Sequence, residues 1–242
     1  MLNHQLDYIA FIPARGGSKG IPSKNLQLVG GIPLVQRTIL TVRRAQKNLG
    51  TAIRVVVSTD SPQIAQCALE VPGTEIHYRP AELAKDSSVL EEALYHFFQE
   101  PDRGFDKCED AVVAVLQCTS PFTRPDEVTA GLAKIYSHEF DSAFIGFENH
   151  YWLYTQEADH SWRPLGHEVG SRPPRQKLKP QAHEIGAGYF FLRSGFMDAG
   201  FRLHGRIGLV EASLLTALDI DDPKDLAFCQ RIADTLTEDL DY

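Results

Sequence analysis

"YIAFIPARGGSKGIPSKN" (8–25) joins an apolar run to a turn holding three cations, three glycines and no acid. Apolar residues that do not alternate with polar ones describe a strand covered on both faces, the habit of parallel sheets. "IRVVVSTDSP" (53–62) and "AVVAVLQCTSP" (111–121) repeat the pattern, each ending at a polar, proline-marked boundary. Between the runs lie helical periods. In "PLVQRTILTVRRAQKN" (33–48), Leu34, Ile39, Val42 and Ala45 share a face, with the arginines expected opposite. In "SSVLEEALYHFFQE" (87–100), Leu90, Leu94, Phe97 and Phe98 do the same. Ser61-Pro62 and Asp222-Pro223 each read as an N-cap followed by proline at the first helical position. Strand and helix in alternation predict an α/β fold around a mainly parallel sheet.

In such a sheet, ligands bind beyond the carboxyl ends of the strands, and residues 14–25 occupy that position after the first strand. Gly16 and Gly17 let the backbone turn and present N–H groups, while Arg15, Lys19 and Lys24 supply charge, with Ser18 between them. Several donors and several cations together suit a polyphosphate. Two common phosphate motifs fail. A P-loop needs glycine five residues on, followed by lysine, but Ile21 and Pro22 stand there; nor do Gly16, Gly17 and Gly20 make the dinucleotide fingerprint. A solvated basic turn is the plainer alternative.

The 242 residues and 43% hydrophobic content fit one large α/β domain over residues 1–242. With 32 acids against 24 bases the formal charge is −8, the wrong sign for a chain that wraps nucleic acid. No run of 18 apolar residues and no charged-then-apolar leader is present, which predicts a cytoplasmic protein with no membrane partner. Cys67, Cys108, Cys118 and Cys229 are far apart, without the Cys/His spacing of a zinc site, and are expected to be reduced and mostly in the core. The stretch 149–181 differs from the rest: polar, rich in proline and aromatics, and without a regular period. Arg163, Arg172, Arg175, Lys177 and Lys179 face one acid, Glu168, over 163–179, a local net of +4. That excess points to a nearby anion or to a solvated charge run.

The opening stretch "IPARGGSKGIPSKNL" (12–26) resembles the first motif of the cytidylyltransferases that make CMP-activated sugar acids, the acylneuraminate cytidylyltransferases above all. The likeness continues in order through "VVVSTDSPQIA" (55–65), "RPAELAKDSS" (79–88), "LQCTSPFTRPDEV" (116–128), "PPRQKL" (173–178) and "LDIDDPKDL" (218–226). The resemblance implies a three-layer α/β/α nucleotidyltransferase-type fold, a homodimer, and a dimerisation arm at about 149–181. It implies condensation of CTP with a 2-keto sugar acid, a nonulosonate such as N-acetylneuraminate, to a CMP-sugar and pyrophosphate. By the same resemblance Arg15 and Lys24 carry the reaction by holding the triphosphate, Lys19 lies on the same path, and Asn25 reaches the cytosine. Arg79 and Ser88 match nucleotide contacts, although the chain is about two residues shorter before Ser88. Gln117 would face the sugar, and Arg175, in its "PRQ" context, would help bind substrate.

Asp219 and Asp221 are the candidate magnesium ligands. In an extended segment residues i and i+2 project from one face, so both carboxylates can meet one cation while Ile220 points inward. The alternative is that these acids cap the next helix, a task Asp222 already fills. Ile185 stands where the family usually has asparagine, and 147–156 lacks a lysine common in the sialic acid enzymes. Both departures leave the acceptor open: another nonulosonate, 3-deoxy-manno-octulosonate or a phosphonate. A nucleotidyltransferase for another base and a non-catalytic nucleotide-binding regulator are the remaining readings.

Overall fold

The computed structural model describes residues 6–85, 87–100, 110–171, 173–177 and 179–236. The first strand, β1 (Asp7–Pro13), leads through the basic turn to a short ribbon, β2 (Leu28–Val29) and β3 (Ile32–Pro33), and into α1 (Leu34–Leu49). There follow β4 (Arg54–Thr59), α2 (Pro62–Leu69), β5 (Thr74–Tyr78), α3 (Leu90–Gln99), β6 (Ala111–Leu116) and α4 (Pro125–Tyr136). The second half runs β7 (Ser142–Asn149), β8 (Leu153–Gln156), β9 (Trp162–Leu165), β10 (Gln181–Leu192), α5 (Arg193–Ala199), β11 (Ile207–Glu211) and α6 (Pro223–Thr235). Seven strands form one sheet in the order β11-β7-β10-β6-β1-β4-β5. β6, β1, β4 and β5 are mutually parallel, β11 is parallel to β7, and β10 alone runs against both its neighbours.

The unalternated strands divide by parity. Tyr8, Ala10 and Ile12 of β1 join a core with α1, α2, α4 and α6, while Ile9 and Phe11 join a second core with α3 and α5. β6 divides likewise, Val112, Ala114 and Leu116 against Ala111, Val113 and Val115. Burying one such Val, Leu or Phe contributes roughly 1.5–3 kcal/mol, so a strand apolar at every position is stable only between two helical layers. The three-layer α/β/α fold expected from the sequence follows.

Both expected caps form. The Ser61 hydroxyl accepts from the Ile64 N–H at 3.4 Å, and the Asp222 carboxylate accepts from the N–H groups of Lys224 and Asp225 at 2.6 and 3.0 Å. Cys118 and Cys229 are buried and Cys67 is half-buried; Cys108 lies outside the described residues.

Two expectations need correction. Arg37 does not lie on the outer face of α1. It is 2% exposed, donates to the carbonyls of Val29 and Pro121 at 2.9 and 3.1 Å, and stacks over Phe122. A guanidinium can be buried when backbone oxygens replace its water, and this one holds the β2–β3 ribbon to the loop after β6. The stretch 149–181 is also more regular than its composition indicates: β8 and β9 pair as an antiparallel hairpin, Leu153 with Leu165 and Gln156 with Trp162. Its base is closed by β7 and β10, where Asn149 pairs with Gln181. Arg163 is bound to Glu157 across that hairpin, so part of the local positive excess is neutralised within the arm.

Candidate active site

The turn after β1 is shaped by close approaches. Gly16 lies against Ser61, where an added Cβ would stand 2.9 Å from the serine Cβ, and its N–H donates to Asp60 Oδ1 at 2.7 Å. Gly20 lies on the backbone of residue 221, where a Cβ would meet the Asp221 carbonyl at 2.7 Å. Ser23 then takes a left-handed conformation with φ 49°, a strain of order 1 kcal/mol that opens the 3-10 turn Lys24–Leu26. This turn aims Lys24 at the segment before α6. Its ammonium donates to the Ile220 carbonyl at 2.7 Å and lies 3.5 Å from Asp221 Oδ1.

Four of the expected binding residues line one cavity of about 240 Å3. Arg15, Arg79, Ser88 and Gln117 surround it with Pro13, Val89 and Leu90, and no carboxylate is among them. They arrive from four chain segments that end at the same edge of the sheet, after β1, after β5, before α3 and after β6. Arg79 donates from Nε to Ser58 Oγ at 3.1 Å and from its terminal nitrogen to the Ser58 carbonyl at 3.2 Å. Burial lowers the Arg79 pKa; Asp60 opposes that shift and the like charge of Arg15 adds to it. The cavity lining thus holds two guanidiniums and no carboxylate, while Asp60, the larger charge effect on Arg79, lies outside that lining.

The segment Asp219–Asp221 closes the other side of the basic turn. Ile220 is fully buried, its N–H donating to the Thr119 carbonyl at 2.9 Å, and the two flanking aspartates reach the surface. Desolvation raises the Asp219 carboxyl pKa and Asp221 adds to it, whereas a Thr119 hydrogen bond and Lys24 lower it. The capping alternative fails for both residues. The acids that bind N–H groups at the start of α6 are Asp222 and Asp225, the latter accepting from residues 221 and 222 at 3.0 and 2.9 Å.

Other expected residues lie elsewhere. Asn25 is 7% exposed and donates to the Arg15 carbonyl at 3.0 Å, so it braces the turn from within and is not in the cavity lining. Lys19 and Gly17 are exposed. Arg175 begins the 3-10 turn Arg175–Lys177, and its side chain, like all of Arg172, lies outside the described residues. Ile185 is half-buried in a bulge of β10 whose Ala187 carbonyl accepts the Gln117 N–H at 3.0 Å. Sequence reasoning missed Ser58, Asp60 and Thr119. All three are small polar residues in or just after the apolar strands, in "VSTD" and "QCTSP", where a polar residue bordering a buried run marks the binding edge.

A sheet of this order with a basic turn, paired guanidiniums and paired carboxylates at one edge defines a nucleotide-binding α/β protein. A family model described as cytidylyltransferase matches residues 9–160, well over half of the chain, and the chain belongs to that family. The N-acylneuraminate cytidylyltransferase A of Danio rerio is 31% identical over 215 residues, covering 88% of this chain and 47% of that protein. The CMP-N,N'-diacetyllegionaminic acid synthase of Legionella pneumophila is 37% identical over 123 residues, 50% of this chain and 49% of the relative. The chain thus spans about half the length of these curated relatives. A solved CMP:2-keto-3-deoxy-manno-octonic acid synthetase complexed with CTP aligns at a TM-score of 0.64 and 18% identity, over 97% of this chain and 100% of that one. That likeness establishes the nucleotidyltransferase-type fold.

Proposed function

We propose that the chain transfers the cytidylyl group of CTP to a 2-keto sugar acid of the nonulosonate class. The sugar's anomeric hydroxyl attacks the α-phosphorus and gives up its proton to solvent, the bond to the bridging oxygen breaks, and pyrophosphate leaves with the displaced electron pair. The observation that carries this reading is the acid-free cavity where Arg15, Arg79, Ser88 and Gln117 meet. Bringing a carboxylate-bearing sugar to a polyanion is mainly a problem of charge, and fixed cations at that edge meet it before the reactants arrive. Arg15 and Arg79 would hold phosphate oxygens and Gln117 would face the acceptor. Gly16, Gly17, Ser18, Lys19 and Asn25 would build the turn, and Lys24 would link it to Asp219 and Asp221.

The two aspartates fit a magnesium ion: hard oxygen donors, close enough for Asp221 to raise the cost of ionising Asp219, with one ammonium beside them. When bound there, magnesium would neutralise triphosphate charge. Pyrophosphate release should require both CTP and an acid sugar. The assay is a panel of nucleoside triphosphates against N-acylneuraminate, a legionaminate and 3-deoxy-manno-octulosonate. Equal turnover with UTP or ATP would reduce the reading to a generic nucleotidyltransferase, and binding without turnover would leave a regulator.

The same reading treats the chain as one catalytic unit that works in the cytoplasm as a homodimer, with 149–181 as the arm. Among the described residues, no helix is long and apolar enough to cross a membrane. The hairpin leaves Tyr151 59% and Trp162 63% exposed beside Leu153, Tyr154 and Leu165, apolar area that a second copy would cover. Light scattering at micromolar concentration should give twice the chain mass; a clean monomer would remove the arm's assigned role.

A further inference from the structure

Next to the nucleotide cavity, and unused by the reaction above, three side chains converge from two elements. His77 is on the edge strand β5 and is fully buried. His96 and Glu100 are one turn apart at the end of α3, their side chains 34% and 28% exposed. His77 Nε2 lies 2.8 Å from His96 Nδ1, and Glu100 Oε1 lies 3.6 Å from each. A triangle with those edges has a point about 2.0 Å from all three atoms, matching the ~2.0–2.2 Å of zinc–imidazole and zinc–carboxylate bonds. Ligand atoms around a tetrahedral zinc stand about 3.3 Å apart, between the observed edges, so only small shifts are needed.

The remaining nitrogen of the buried ring adds a second observation. His77 Nδ1 is 2.9 Å from Ser58 Oγ, the kind of outer oxygen that fixes the tautomer of a metal-bound imidazole. Two imidazoles and one carboxylate are donors for zinc and its transition-metal neighbours, not for magnesium, which takes oxygen.

We propose that His77, His96 and Glu100 bind one zinc-class divalent ion, separate from the carboxylate pair at Asp219 and Asp221. The ion joins β5 to the end of α3. With Nε2 on the metal, the His77 proton must sit on Nδ1 and donate to Ser58 Oγ, which already accepts from Arg79. A loaded site therefore fixes Ser58, and through it the guanidinium that lines the nucleotide cavity.

The test uses the full, tag-free chain, stripped with a chelator and returned to buffer, then titrated with Zn2+ alone and with Co2+ alone. One equivalent of Zn2+ should bind, raise the melting temperature and resist displacement by excess Mg2+. Co2+ should give the strong visible bands of tetrahedral coordination. His96→Ala and Glu100→Gln, both at partly exposed positions, should each weaken Zn2+ binding at least tenfold and remove the cobalt bands. Absence of a stoichiometric zinc event and of cobalt bands in the unaltered chain would overturn the proposal, whatever the variants do. Equal binding in unaltered chain and variants would also overturn it, assigning the ion to other histidines and leaving this cluster a hydrogen-bonded one only.

Discussion

Arg15→Ala is expected to lower kcat/KM at least about thirtyfold, a loss of ~2 kcal/mol of transition-state stabilisation, with the melting temperature little changed. Arg15 lines the cavity, and its positive charge helps depress the pKa of Arg79. Its guanidinium stands at the carboxyl edge of the sheet, in the same cavity lining as Arg79, Ser88 and Gln117. The backbone of the turn is held in part by Asn25, whose side chain donates to the Arg15 carbonyl at 3.0 Å. Lys24→Ala should show a loss of the same order, together with a stability cost of about 1 kcal/mol, since the Lys24 ammonium also holds the Ile220 carbonyl. Steady-state kinetics with CTP and a sugar acid, beside melting curves, measure both effects. Normal turnover in both variants would make the opening stretch a basic turn with no part in catalysis.

Asp219→Asn tests the metal pair. The substitution preserves shape while removing a carboxylate that desolvation and Asp221 already disfavour. Melting should not fall, whereas the magnesium concentration giving half-maximal rate should rise at least tenfold, with turnover depressed even at saturation. Asp222→Ala is the matching control. Its carboxylate caps α6, so stability should drop by roughly 1 kcal/mol and the magnesium profile should stay in place. An unshifted profile in Asp219→Asn would end the assignment of this pair to magnesium.

The polarity patterns of local segments determined much of this protein. Val55, Val56 and Val57 in a row already require a strand covered on both faces, and the structure buries all three completely. Asp222-Pro223 signals a helix start by chemistry confined to four residues, and the cap forms. The charge excess of the cation-rich turn is likewise legible, because it is local to residues 14–25. Tertiary structure decided whatever depends on partners distant in the chain. The burial of the Arg37 guanidinium is not legible locally, since one of its two carbonyl partners, Pro121, lies 84 residues away. The contact of Asn25 with the carbonyl of Arg15, ten residues earlier, is likewise a product of folding. The arm at 149–181 has no clear period because its hairpin leaves most side chains exposed, so burial imposes little alternation on the sequence. His77 lies on an edge strand, 19 residues before the histidine it meets. Local sequence encodes propensity and charge; only the packing of β5 against α3 brings those two rings and a carboxylate to a common point.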